Sequence, residues 1–206
     1  MRKIFLVVSI SFVAVSLLSC GIMVKMNVAL SSVDVSQNSS LKIHDFETDS
    51  IMSYKDTFIS TKWETDFSQL ILTLDNLSDK TIKIIWDDAA FIDVDGTAGR
   101  IMHTGTKYID RNDFQPPTII PKKTTVIENI VPTRNVYFTD YGWVEGKLFI
   151  YITKDYKETI NDFTGKHIKI LIPIVVNNDT IEYIFDFEVK SVTKFAIPEY
   201  STYTYY

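Results

Sequence analysis

His103 and Asp110 bracket the stretch HTGTKYIDR, residues 103–111, and Arg111 follows the acid. An imidazole exchanges a proton near neutral pH, and a carboxylate beside it fixes its tautomer. The two residue types together suit a general base and its orienting group. No GxSxG sequence is present to supply an activated serine. A loop ordered by the histidine and by an Asp110–Arg111 ion pair accounts for the same residues without chemistry. His44, His103 and His167 are scattered and show no HExxH spacing, so no zinc site is expected. Asp87, Asp88, Asp93 and Asp95 crowd around one expected hairpin. Calcium takes several oxygen ligands, but an EF-hand loop opening at Asp93 would meet Thr104 where its bidentate acid belongs. These aspartates are expected instead to bond the amides of their own turn. No metal and no cofactor is assigned. Trp143, beside Tyr141 and Gly142, is the aromatic cluster best placed to hold a sugar or a peptide. Trp86 shares the apolar face of its strand and is expected in the core.

Cysteine occurs once, as Cys20. It follows a segment of secretory design: Arg2 and Lys3, then residues 4–18 without a charge. That run is shorter than the roughly 20 apolar residues needed to span a bilayer. An ordinary secretory signal and an uncleaved anchor are the alternatives at this point. Residues 17–20, LLSC, resemble a bacterial lipobox. The resemblance implies a diacylglyceryl group on the Cys20 sulfur, cleavage before Cys20 and acylation of the new amine. Gly21, rather than Asp, implies sorting to an outer membrane or the cell surface. Two or more acyl chains hold a protein stably on a membrane where one does not. A lipidated Cys20 would leave the mature chain without a thiol, which excludes thiol catalysis, CxxC redox chemistry and cysteine-based zinc sites.

Losing residues 1–19 removes Arg2 and Lys3, two positive charges, and moves the net charge from −5 to −7. Such a chain does not suit nucleic acid, and a lipid rather than a general basic surface would have to attach it to a membrane.

The elements that must position these residues read as strands. Residues 1–19 are the leader and 20–42 a lipid-anchored tether, because SSVDVSQNSS lacks a core pattern. Within it, residues 23–30 are apolar enough for a short strand. A β-sandwich domain is expected over 43–195. FSQLILTLD and TIKIIW, separated by NLSDK, suggest one hairpin. FIDVDGTAGRIMH suggests another, turning at Asp95-Gly96. HIKILIPIVV and TIEYIFDFEVK form the clearest pair: Ile181, Tyr183, Phe185, Phe187 and Val189 alternate with outward residues, and only Ile184 breaks the pattern. Pro173 lacks a ladder donor and is expected at an edge or a bulge. DYKETINDF, residues 155–163, predicts a short helix closed by Thr164-Gly165. The Tyr-rich tail, 196–206, is expected to fray or dock weakly. No βαβ rhythm is visible, so the fold class is all-β, an antiparallel immunoglobulin-like sandwich in architecture.

LTLDNLSDKTIKIIWDDAAFIDVDG, HTGTKYIDR, QPPTIIPKKT, GKHIKILIPI and EYIFDFEV resemble a group of uncharacterised bacterial lipoproteins. The resemblance implies an envelope sandwich with an acylated N-terminus and no assigned activity. The leading expectation is a non-enzymatic interaction or structural module that meets another envelope protein. A sugar- or peptide-binding lipoprotein is the second, using Tyr141, Trp143, His103, Asp110 and Arg111. A hydrolase centred on His103 is the third.

Overall fold

The computed structural model describes residues 21–37 and 52–195. The expected leader, Cys20, the far part of the expected tether (38–42), the start of the expected sandwich domain (43–51) and the tail from 196 lie outside the described residues. Among these residues the chain forms strands β1 (Ile22–Gln37), β2 (Ser53–Lys55), β3 (Ile59–Thr65), β4 (Leu70–Asn76), β5 (Ile82–Ile84), β6 (Ala90–Ile92) and β7 (Ala98–Met102). It continues with β8 (Thr118–Ile120), β9 (Thr125–Pro132), β10 (Val136–Thr139), β11 (Gly142–Glu145), β12 (Ile150–Thr153), helix α1 (Tyr156–Phe163), β13 (His167–Val176) and β14 (Asp179–Lys194).

The fold is mostly antiparallel β-sheet. Hydrogen bonding runs β12-β1-β14-β13-β6-β7-β9-β4-β3-β2, with β5 joining β13 to β8, while β10 and β11 pair with each other as a separate ribbon. On β14, Ile181, Tyr183, Phe185, Phe187 and Val189 are all buried, as their alternation requires. Trp63 on β3 meets the rings of Phe185 and Phe187 at 5.0 and 5.3 Å, and Tyr54 meets Tyr183 at 6.1 Å. Strands far apart in hydrogen-bonding order therefore share one core.

Three expectations need correction. Residues 22–37 are not tether: they form the 16-residue strand β1, paired along its length with β14 and at its start with β12. The core-facing residues of β1 fall at Ile22, Val24, Met26, Val28 and Leu30, then at Val33 and Val35. The register skips Ser31, whose hydroxyl donates to the Asp186 carbonyl at 3.0 Å. A bulge there shifts the parity, so SSVDVSQ looks patternless when read in phase with the residues before it.

NLSDK does make a turn, but β4 and β5 do not pair. β4 lies between β3 and β9, whereas β5 joins β13 and β8. Asn76 fixes that crossing. Buried, it donates to the carbonyls of Lys80, Ile120 and Pro121 and accepts from the amide and hydroxyl of Ser78.

Pro173 sits inside β13, which has neighbours on both sides. Its carbonyl accepts from the Ile85 amide at 3.0 Å, so its missing N–H faces the same way. That side faces Ile85, one residue past β5, where the β5 ladder ends and before the β6 ladder begins at Leu171, so the missing donor falls at the break between two ladders.

Other expectations stand. β6 and β7 form the hairpin at Asp93–Thr97, with Gly96 at φ +80°. β13 and β14 turn through Asn177 and Asn178 at φ 52° and 70°, both in the left-handed region that asparagine tolerates and a two-residue hairpin turn demands. Asp155 caps α1, accepting from the amides of Lys157 and Glu158, and Gly165 beyond its end has φ +79°.

Candidate functional site

His103 follows β7 and is nine-tenths buried in its side chain. Its ring stacks on Trp86 with centroids 4.4 Å apart and 9° between planes. Trp86 leads a short 3-10 turn after β5 and is buried, as its strand parity suggests. The indole donates to Thr118 Oγ1 at 2.8 Å, and that hydroxyl donates to Glu128 Oε1 at 2.7 Å. The other oxygen, Glu128 Oε2, lies 3.3 Å from His103 Nδ1. Glu128, not Asp110, therefore orients the imidazole. Nothing in residues 103–111 signals this, because the acid comes from β9.

Asp110 does share a pocket of about 330 Å³ with His103, along with Thr106, Lys107, Phe114 and Gln115. Yet His103 Nε2 is buried and has no hydrogen-bond partner among the described residues. A general base must reach the proton it takes. Here the free nitrogen faces no hydroxyl, and the network ties together β7, β8, β9 and the turn after β5. Gln115 does similar work nearby, donating to the Ile101 carbonyl at 2.6 Å and accepting from Thr106 at 3.1 Å.

Arg111 pairs with no acid among the described residues. It donates to the Tyr108 carbonyl at 3.0 Å and places its guanidinium 4.8 Å from the Trp143 ring centre. The expected Asp110–Arg111 ion pair is replaced by this cation–π contact. Trp143 is half-buried. It packs on the small cluster of Met102, Val131 and Val136, and Phe138 meets it edge-on at 5.4 Å. Tyr108 donates to Glu145 Oε1 at 2.7 Å, and Ser68 donates to Glu145 Oε2 at 2.6 Å. The hydrogen bond to Glu145, then burial, pushes the Tyr108 phenol up to about 12. Tyr141 does not join this cluster. It stands at the tip of the β10–β11 ribbon, fully exposed.

A larger cavity, about 700 Å³, lies elsewhere. Phe91, Leu148 and Ile168 line its apolar part, with Tyr151 and Phe163 in ring contact at 4.9 Å. Arg134, Lys147 and Lys166 bring positive charge to it, and Asp93, Asp95 and Asp162 bring negative charge. Arg134 pairs with Asp93 at 2.6 Å. Burial opposes ionisation of Asp93, but the amides of Thr97 and Asp95 and then Arg134 outweigh it and hold the carboxyl below its usual value. Burial raises the Tyr151 phenol, Arg134 opposes that, and the charges of Asp93 and Asp95 add to it. The turn aspartates thus keep their expected amide bonds and also edge a cavity. Sequence reasoning missed it because its walls come from α1, the β6–β7 turn, β12 and the segment before β10, which are remote along the chain.

Among the described residues, no three His, Cys, Asp or Glu side chains converge as metal ligands, and no helix is long and apolar enough to cross a membrane. No protein family, no curated protein and no solved structure matches the chain.

Proposed function

We propose that the protein is a lipid-anchored, non-enzymatic binding module of a bacterial envelope, built on an immunoglobulin-like sandwich and engaging another envelope protein through the β10–β11 ribbon. The observation that carries this reading is the exposure of Tyr137, Phe138 and Tyr141 at 48%, 68% and 101% on one short ribbon. Aromatic side chains held in water on a pre-formed element are the usual anchors of protein interfaces. The ring contacts between β3 and β14 support the sandwich architecture, and the LLSC sequence supports the anchor.

Two measurements test it. The intact mass of membrane-extracted protein should equal residues 20–206 plus acyl chains, and Cys20→Ala should remain unprocessed. A photo-crosslinking residue at position 141, used on intact cells, should give a discrete adduct that Phe138→Ser weakens. If Phe138→Ser leaves the adduct unchanged, the ribbon is not the interface.

The 700 Å³ cavity favours a second reading, binding of a small sugar or peptide, now beside Tyr151 and Phe163 rather than Trp143. Thermal melts with disaccharides and tripeptides should then show a rise in Tm with one class that Lys147→Glu removes. A hydrolase at His103 finds less support, since the nitrogen available for chemistry is buried and unpartnered.

A further inference from the structure

Resting on the lipid-anchor reading above, we infer that the end of the fold where Gly21 enters β1 sits directly on the lipid bilayer, with Ile152 and Phe67 turned to the lipid. A tether would have held the domain away from the headgroups. The structure has none on this side: Ile22 already pairs with Thr153 of β12, and Cys20 is one peptide bond from Gly21. Adjacent Cα atoms are about 3.8 Å apart, so acyl chains on Cys20 enter the membrane beside this end.

The surface found there carries apolar tips, Ile152 and Phe67, on either side of a groove that Lys25, Thr65 and Asp66 also line. Ile152 is 66% exposed and pairs with Met23. The Phe195 amide donates to the Met23 carbonyl at 2.8 Å, and the Phe195 ring meets Phe67 edge-on at 5.6 Å. Phe67 is 49% exposed, at the turn between β3 and β4. Lys25 lines a shallow groove with Phe67, Ile150 and Phe195, and Lys154 follows Thr153, which pairs with Ile22 at the start of β1, whereas Lys194 turns to the Tyr156 ring of α1. The acids around this end are engaged: Asp66 accepts from the Phe67 amide, Glu145 from the Ser68 hydroxyl, and Asp155 caps α1. Aromatic and aliphatic tips with lysines around them match the boundary between headgroups and acyl chains.

At the other end of β1, Gln37 pairs with Ile181, close to the Asn177-Asn178 turn, so the 16 residues of β1, roughly 50 Å of strand, lie between that turn and Gly21. Lys80, Lys83, Asn177 and Asn178 share the groove there. Ile119, 58% exposed, pairs with Lys83 beside that groove, so lysines and asparagines surround an apolar tip there.

The absence of any other cysteine makes the test direct. Single variants Ile152→Cys, Phe67→Cys and Lys80→Cys of the full chain are made as lipoproteins and labelled with a fluorophore on the new thiol. They are placed in phosphatidylethanolamine–phosphatidylglycerol vesicles carrying a nitroxide phospholipid. The labels at 152 and 67 should be quenched at least threefold more than the label at 80. The two near-end positions are independent, so a folding defect in one leaves the other informative. Equal quenching at all three positions, in protein whose intact mass shows acyl chains, overturns the seating and leaves the anchor standing. Protein without acyl chains overturns the anchor and the seating with it.

Discussion

The two ends of the long β1–β14 ladder are closed by different means. Beyond Ile59, Asn76 and Ile181, buried polar side chains do the closing. Asp56, only 3% exposed, accepts from the hydroxyls of Tyr54 and Tyr183 and from the amides of Phe58 and Ile59. Burial, then the charge and hydrogen bond of Asp56, pushes both phenols far above their ordinary range. Asn76 supplies a second such centre at the crossing to β5. Near the Gly21 end Glu145 takes hydrogen bonds from Ser68 and Tyr108, but the outermost side chains, Ile152 and Phe67, are apolar and remain in contact with solvent. Polar closure saturates its own groups and needs nothing more. Apolar closure stays incomplete until something covers it.

Mutations should break this comparison unevenly. Asp56→Ala should have the largest effect, about 3 kcal/mol or more, because four donors lose a charged acceptor at once. A urea titration should show a lower midpoint at unchanged slope. Asn76→Ala should cost about 2 kcal/mol by the same measurement, since buried carbonyls at Ile120 and Pro121 lose their donor.

The Tyr108–Glu145 bond offers a pH test near the other end. The folded phenol titrates near 12 against an ordinary 10.0, so the native state holds its proton longer than the unfolded chain does. Its contribution to stability is complete below pH 10.0 and falls away as pH rises toward about 12. Urea midpoints of wild type and Tyr108→Phe should therefore converge across that window, and an ultraviolet titration of Glu145→Gln should return the phenol toward 10.0. The smallest effect belongs to Ile152→Ser and Phe67→Ser. Each should shift stability by about 0.5–1 kcal/mol at most, because much of each side chain is already in water. A loss comparable to that of Asp56→Ala would mean that this end is core rather than contact surface.

Alternation made β13 and β14 legible in the sequence, because one face of each is buried along the paired stretch, and the Asp95-Gly96 turn made the β6–β7 hairpin legible. It failed at β1, where the bulge at Ser31 changes which face is inward, and at NLSDK, where a turn signal says that the chain reverses but not which strand it then joins. The candidate sites were less legible still. Trp86 and Trp143 could be placed through strand parity and local aromatic density. Glu128 beside His103, Glu145 beside Tyr108 and the charged edge of the large cavity come together only through pairing across the sheets. Chain spacing carries no trace of such pairs.

The continuity of β1 with the residue after Cys20 has a mechanical meaning. A force applied at Gly21 along the strand meets a ladder registered with β14 from Val24 to Gln37. Pulled in that direction, the hydrogen bonds are loaded in parallel and must slip together, whereas a strand peeled from its end loses them one by one. Under the proposed lipid anchor, tension at Cys20 would thus be carried into the centre of the sheet, through a strand that resists being drawn out rather than through a flexible leash.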